Sequence, residues 1–268
     1  MRLGPRARRS VRIAVSVALA VYILVDVDRG DLKRALSGVR PGLFAGALLL
    51  YIVGQVLSAY KWAVLGRSVG LDRPLAEYTR FYFIGMFFNL FGPSTVGGDV
   101  VRALYLGEGR RRGVALNSVL FDRGSGLALL MALAATGLLL FPGYGFPWPL
   151  TVGIVGGGAA LLLGWWACPR LVRLLPARNR VRRQVETNLA PFWRNRRLLV
   201  GVAALSLVFH LTQVVVQWIL ARAVGTTLPL SYCLIVYPVI SLMTALPVSV
   251  HVFRRQGGRR KRSQRPSC

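Results

Sequence analysis

Two charged pairs stand in stretches of sequence that are otherwise apolar. Asp99 and Arg102 follow the break Gly92-Pro93-Ser94-Thr95-Val96-Gly97-Gly98, and Asp122-Arg123 lie inside the uncharged run that begins at Val114. An ionisable group within a membrane span costs roughly 2.5 to 3.5 kcal/mol on insertion scales, so it faces a partner or an aqueous path. Around the break, Ser94 and Thr95 can cap the donors of a helix start, Pro93 suits a first turn, and Gly97 and Gly98 allow close approach of backbone. A helix opening there aims free N–H groups and the positive end of its dipole at a phosphate or another anionic headgroup. Arg102, about one turn beyond Asp99, completes such a site. The competing reading is packing: the glycines let two helices close together while Asp99 and Arg102 pair with each other.

Asp122 and Arg123 admit two readings as well. Lying about two to three turns beyond Arg112, they can anchor the helix at an interface. Two charges in an uncharged run favour function, with Asp99 or a lipid phosphate as the partner of Arg123. His210, Gln213 and Gln217 fall at helical spacing on one face, which points them inward for interhelical hydrogen bonding. The chain has no HExxH, Walker loop or CxxC, and His210 and His251 have no nucleophile or ligand set nearby in sequence. Cys168, Cys233 and Cys268 are scattered. No catalytic residue, metal or cofactor is therefore expected, and the protein is read as a non-enzyme.

The elements that must position these residues are set by composition. Of 268 residues, 54% are hydrophobic and 16% charged, against about a quarter charged in soluble domains. A soluble core cannot hide that much apolar surface. The net charge of +26 is almost wholly arginine, with Lys33, Lys61 and Lys261 the only lysines. Because the basic residues sit between long apolar runs, they read as positive-inside loops facing anionic lipid rather than as a nucleic-acid surface.

The pattern predicts an all-α polytopic protein of the inner (plasma) membrane, with about six transmembrane helices, a re-entrant hairpin and both termini cytoplasmic. Residues 1–12 form a basic cytoplasmic N-terminus, 13–250 the membrane domain and 251–268 a basic tail. Within the domain, 13–25 reads as an uncleaved signal anchor and 26–40 as an outer loop. The second span is 43–65, with Lys61 snorkelling to the interface. Residues 81–101, flanked by arginines at both ends, enter and leave on one side and turn at Gly92-Pro93. Spans at 114–141 and 150–167 are joined by an uncharged aromatic outer loop, and the arginine-rich stretch 170–197, whose one acid is Glu186, is the clearest cytoplasmic loop. Spans at 198–220 and 230–250 follow, the last broken at Pro238 and Pro247.

The run Phe81-Tyr82-Phe83-Ile84-Gly85-Met86-Phe87-Phe88-Asn89-Leu90-Phe91-Gly92-Pro93-Ser94-Thr95-Val96-Gly97-Gly98-Asp99-Val100-Val101-Arg102 resembles the signature of the flippase-like family that includes the membrane region of lysylphosphatidylglycerol synthases. Ser118-Val119-Leu120-Phe121-Asp122-Arg123-Gly124-Ser125-Gly126-Leu127 is similar to its second signature, and Ala245-Leu246-Pro247-Val248-Ser249 to the start of its third. The resemblance implies a membrane protein that handles anionic or aminoacylated phospholipid, or another lipid-linked headgroup, by moving it between leaflets. It points to Ser94, Thr95, Gly97, Gly98, Asp99, Arg102, Asp122 and Arg123 as headgroup-binding residues. A separate soluble transferase and a second copy of the chain are the protein partners it allows. The alternative is the membrane subunit or remnant of a lipid-modifying enzyme, linked to a lysylphosphatidylglycerol synthase or a glycosyltransferase.

Beyond Ser249 the resemblance fails. The family continues with a Gly-Val-Arg-Glu-Gly-like turn and further helices, whereas here Arg254-Arg255-Gln256-Gly257-Gly258 opens a basic tail. Codons for the family motif, read one base earlier, give the same Arg-Arg-Gln-Gly-Gly string, so a frame shift near Val252 or Phe253 is expected. A native polybasic tail that binds anionic lipid is the alternative.

Overall fold

The computed structural model describes residues 37–91 and 96–245, apart from 177, 180, 181, 184 and 187–189. The anchor expected at 13–25, Ser94, Thr95, Pro247 and the tail 251–268 lie outside the described residues. Among those described, the chain is helical with no strand. The helices are α1 (Pro41–Arg67), α2 (Leu75–Phe91), α3 (Val96–Leu106), α4 (Arg112–Leu140), α5 (Trp148–Leu171), α6 (Ala190–Arg194), α7 (Arg196–Ala223) and α8 (Leu230–Ala245).

Length and hydropathy make α1, α4, α7 and residues Trp148–Cys168 of α5 long enough to cross a membrane. These four coincide with spans expected from the sequence. Large apolar side chains on their outer faces, such as Leu49 at 65% and Leu163 at 66% exposure, are left uncovered by the described residues. In a bilayer the lipid tails cover them. Helix starts follow local chemistry: Pro41 opens α1, and the Asn195 side chain caps α7 by accepting from the Leu198 amide at 3.0 Å.

α8 is shorter, and it runs through Pro238 without the break expected there. Proline removes one N–H, which deprives the Leu234 carbonyl of its usual donor, but the surrounding helices hold the segment in place. Pro238 is fully buried and Ile235 packs against Gly137 of α4, where a Cβ would lie 2.9 Å from the isoleucine side chain.

α1 and α7 run antiparallel along much of their length, as Arg40 N donating to Ala223 O at 2.9 Å and Lys61 facing Ser206 both require. α4 packs against this pair and against α8, which also touches α7, and Leu130, Leu138, Ile235 and Val239 form one apolar cluster. A second cluster at the opposite end joins Leu65, Phe121, Phe192 and Leu198. Arg67, Arg73, Arg111 and the described arginines of 170–197 gather at that second end, while the uncharged turn after α4 meets the start of α8 through Tyr144 and Ser231 hydroxyls 2.6 Å apart. This separation of charge is the one expected of a membrane-spanning bundle.

α2 and α3 form an antiparallel hairpin. Asn89 meets Gly98, Tyr82 meets Arg102, and Phe81 stacks on Tyr105 at 5.5 Å, so positions ascend on one helix as they descend on the other. The paired helices reach beyond the 81–101 stretch at both ends. At about 1.5 Å per residue they extend roughly 25 and 16 Å, less than two full crossings of a 30 Å core.

The hairpin is tied to α1 by Tyr78, whose hydroxyl donates to the Leu71 carbonyl at 2.7 Å and lies directly under Gly66. A Cβ on Gly66 would overlap that hydroxyl. Tyr78→Phe is expected to lower stability by about 1 kcal/mol through the lost hydrogen bond. Gly66→Ala should cost more, about 1–3 kcal/mol, because the ring must move. Thermal midpoints in one detergent order the two variants; equal midpoints would show that Gly66 is not packed in this way.

Candidate lipid-headgroup site

The hairpin and the spans bring five charged side chains into one chain of ion pairs. Lys61 of α1 places its ammonium 2.9 Å from Asp122 Oδ1, off the ideal hydrogen-bond direction but in close ionic contact. The other oxygen of Asp122 accepts from Arg102 Nη2 at 3.1 Å. Arg102 Nε lies 3.3 Å from Asp99 Oδ1 in an ion pair. Asp99 in turn holds Arg123 with both oxygens, at 2.8 Å to Nε and 2.9 Å to Nη2. The order Lys61, Asp122, Arg102, Asp99, Arg123 alternates sign and ends in cations at both ends. Three positive groups against two negative ones leave one cation in excess.

Burial is graded along this chain. Lys61, Asp122 and Arg102 are all under 5% exposed, the Asp99 side chain is 15% exposed, and that of Arg123 is 50% exposed. The inner end is thus a structural lock and the outer end an accessible guanidinium. Arg102 also lies over two aromatic rings, 4.9 Å from the Trp62 ring and 5.2 Å from Tyr82. Those rings are fixed by Trp62 donating to Ser118 at 3.1 Å and Tyr82 donating to Ser58 at 2.9 Å. Such cation–π contacts gain strength where water is excluded.

Polar contacts continue inward from Lys61. Its ammonium donates to Ser206 Oγ of α7 at 3.1 Å, and one turn on His210 lies 3.1 Å from the Gly126 carbonyl and 3.2 Å from the Tyr237 hydroxyl. The network therefore touches α1, α3, α4, α7 and α8. Lys61 lies six residues before Arg67 and Asp122 ten after Arg112, which puts the pair about 9 to 15 Å inside the arginine-rich end. A buried ion-pair chain does little for net stability compared with apolar packing.

The residues singled out from sequence fare differently. Asp99, Arg102, Asp122 and Arg123 converge, and Asp99 is the partner of Arg123. Gly98 is packed: its amide donates to Asn89 Oδ1 at 2.8 Å, and a Cβ there would overlap the Gly85 carbonyl. Gly97, expected to serve close backbone approach in the same way, has nothing among the described residues within 4 Å of where a Cβ would stand. Ser94 and Thr95 lie outside the described residues.

Lys61 departs furthest from expectation. It does not snorkel; it points into the bundle, because Asp122 and Ser206 offer it an anion and an acceptor where lipid offers none. The signal was present in the sequence, since Lys61 is the only charged residue between Leu43 and Leu65. Trp62, Tyr82 and Ser206 are further members that pattern alone did not mark.

A family model described as the lysylphosphatidylglycerol synthase TM region matches residues 9–258. A UPF0104 membrane protein of Methanothermobacter thermautotrophicus is 30% identical over 131 residues, covering 47% of this chain and 38% of that protein. The glycosyltransferase AglD of Haloferax volcanii is 32% identical over 148 residues, covering 50% of this chain and 23% of that protein. The chain spans well under half the length of these relatives. No solved structure matches it. With all but its extreme ends covered by the family model, and charged residues of the first two quoted signatures paired in one network, the chain belongs to the family of lysylphosphatidylglycerol synthase transmembrane regions.

Proposed function

We propose that this protein binds phospholipid or other lipid-linked anionic headgroups at the outer end of the ion-pair chain and moves them between leaflets. The observation that carries the reading is the single excess cation, presented as a half-exposed Arg123 that Asp99 holds in a fixed orientation. Arginine takes phosphate by paired N–H donors, and a guanidinium already oriented loses less freedom on doing so. Asp99 prevents Arg123 from collapsing onto Asp122 and also offers a carboxylate to a cationic headgroup. The short hairpin, with both flanks at the arginine-rich end, carries Asp99 and Arg102 away from that end toward Arg123 and Asp122.

The test is leaflet exposure of fluorescent phospholipid in vesicles that hold the purified protein. Wild type is expected to move lipid faster than empty vesicles, and Arg123→Gln to slow it by about ten- to a hundredfold, the worth of one charged hydrogen bond. Asp99→Asn should slow it as well by freeing Arg123. Equal rates for all three proteins, or none above empty vesicles, would remove translocation from consideration. The AglD relative, a glycosyltransferase by name, favours a second reading in which the membrane region presents a lipid to a transferase. In that case headgroup binding would survive in the absence of any transfer between leaflets.

A further inference from the structure

At the arginine-rich end a cavity of about 830 Å³ opens between the last turns of α5 and the first turn of α7. It lies on the opposite side of α4 from the ion-pair chain. Phe121 marks the boundary: its ring packs on Trp165 at 4.8 Å and Trp193 at 5.8 Å, while the next residue, Asp122, faces Lys61. Trp165, Trp166 and Trp193 form the apolar wall.

The rim is cationic. Arg170, Arg173, Arg194 and Arg196 line it with one acid, Glu186, which is already paired with Arg182 at 2.9 Å. Arg170 is held over the Trp166 ring at 4.0 Å. An anion of cavity size is therefore matched in charge. The source of that anion follows from the surroundings: Leu163, Trp166 and Leu171 are 66%, 64% and 56% exposed on the helix that forms one wall. They make an apolar track running from the cavity along the outer face of a membrane span, as an acyl chain needs and a soluble anion does not. Tryptophan and arginine at the ends of spans are also the residues that sit at the headgroup level.

We propose that this cavity is a second lipid site, taking the phosphate headgroup of an anionic phospholipid from the leaflet beside the arginine-rich loop while its acyl chain lies along Leu163 and Trp166. The site is independent of the Arg123 site. Its ligand is a resident or regulatory lipid of that leaflet, seated one helix away from the ion-pair chain.

The experiment uses the full chain in phosphatidylcholine vesicles with rising fractions of brominated phosphatidylglycerol, read by tryptophan fluorescence. Three of the six tryptophans line the cavity, so occupancy quenches a large part of the signal. Quenching is expected to saturate and to exceed that by brominated phosphatidylcholine at the same fraction. Arg194→Gln with Arg196→Gln should raise the half-saturating fraction about tenfold; both side chains are exposed, so the fold is kept. Arg170→Gln should act in the same direction. A charge-matched control, Arg178→Gln with Arg183→Gln, removes exposed arginines of the same loop that do not line the cavity, and should shift it by about twofold or less.

Four results would overturn the proposal. Equal quenching by the two brominated lipids would mean no selectivity. Equal shifts by the cavity and control pairs would mean general surface attraction. Loss of quenching in Arg123→Gln alone would assign the signal to the other site, and competition by millimolar inorganic phosphate would assign the cavity to a soluble anion. Persistence of quenching in Arg123→Gln supports it even if leaflet transfer fails.

Discussion

Asp122→Asn should leave little folded protein. Asp122 serves Lys61 with one oxygen and Arg102 with the other, and all three groups are nearly fully buried. Neutralising it leaves the Lys61 ammonium with Ser206 and a backbone carbonyl as its remaining contacts, in a region where water cannot help. Removing one partner of a buried pair costs about 3–5 kcal/mol, a large part of the roughly 5–15 kcal/mol that holds a protein folded. The expected result is a collapse in monodisperse yield from detergent and a strongly lowered thermal midpoint. Because the cost lies in the stranded cation, adding Lys61→Met should restore part of the loss. A coupling of about 1–3 kcal/mol between the two positions is expected from a double-mutant cycle. A single variant that melts with wild type, or a double variant no better than the single, would show that the pair is not the lock described above.

The contrast between Lys61 and Asp122 also marks how far the sequence can be read. Apolar run length fixes how deep a residue lies, so the four long spans, the hairpin and the charged pair within α4 were visible in the pattern. Depth says nothing of azimuth. Lys61 near the end of an apolar run reads as a snorkelling residue, and only the seating of α1 on α7, with Gly54 admitting Gln213, turns it toward Asp122. The same limit hid Trp62 and Tyr82, ordinary apolar residues in sequence that become the bracket for Arg102. At Pro238 the local rule predicts a break, yet burial on neighbouring helices keeps α8 continuous. The Trp and Arg cavity joins residues from α5, α6 and α7 whose contact is set by packing around Phe121, which no periodicity encodes.

The adjacent glycines give the second large effect, and one with an internal control. Gly97 and Gly98 are alike in sequence, and a reading from composition assigns both to close packing. In the folded hairpin a Cβ on Gly98 would overlap the Gly85 carbonyl and crowd Asn89, whereas one on Gly97 meets nothing within 4 Å among the described residues. Gly98→Ala therefore forces backbone against backbone, where no rotamer change relieves the overlap, and α2 must part from α3. The hydrogen bond from the Gly98 amide to Asn89 is strained or lost with it. Asp99 follows directly and Arg102 lies one turn on, so displacement of α3 pulls Asp99 from Arg123 and loosens Arg102 between Trp62 and Tyr82. Overpacking of this kind costs about 1–3 kcal/mol or more, and a shift of about 1 Å at a positioned site lowers its rate by roughly a hundredfold. Gly97→Ala changes only helix propensity, which favours alanine by about 1 kcal/mol. The proposed leaflet transfer and the thermal midpoint should thus fall sharply in Gly98→Ala and hold in Gly97→Ala. The reverse order, or equal loss in both, would mean that the hairpin closes through a different face and that Asp99 does not owe its place beside Arg123 to the contact of Gly98 with Gly85.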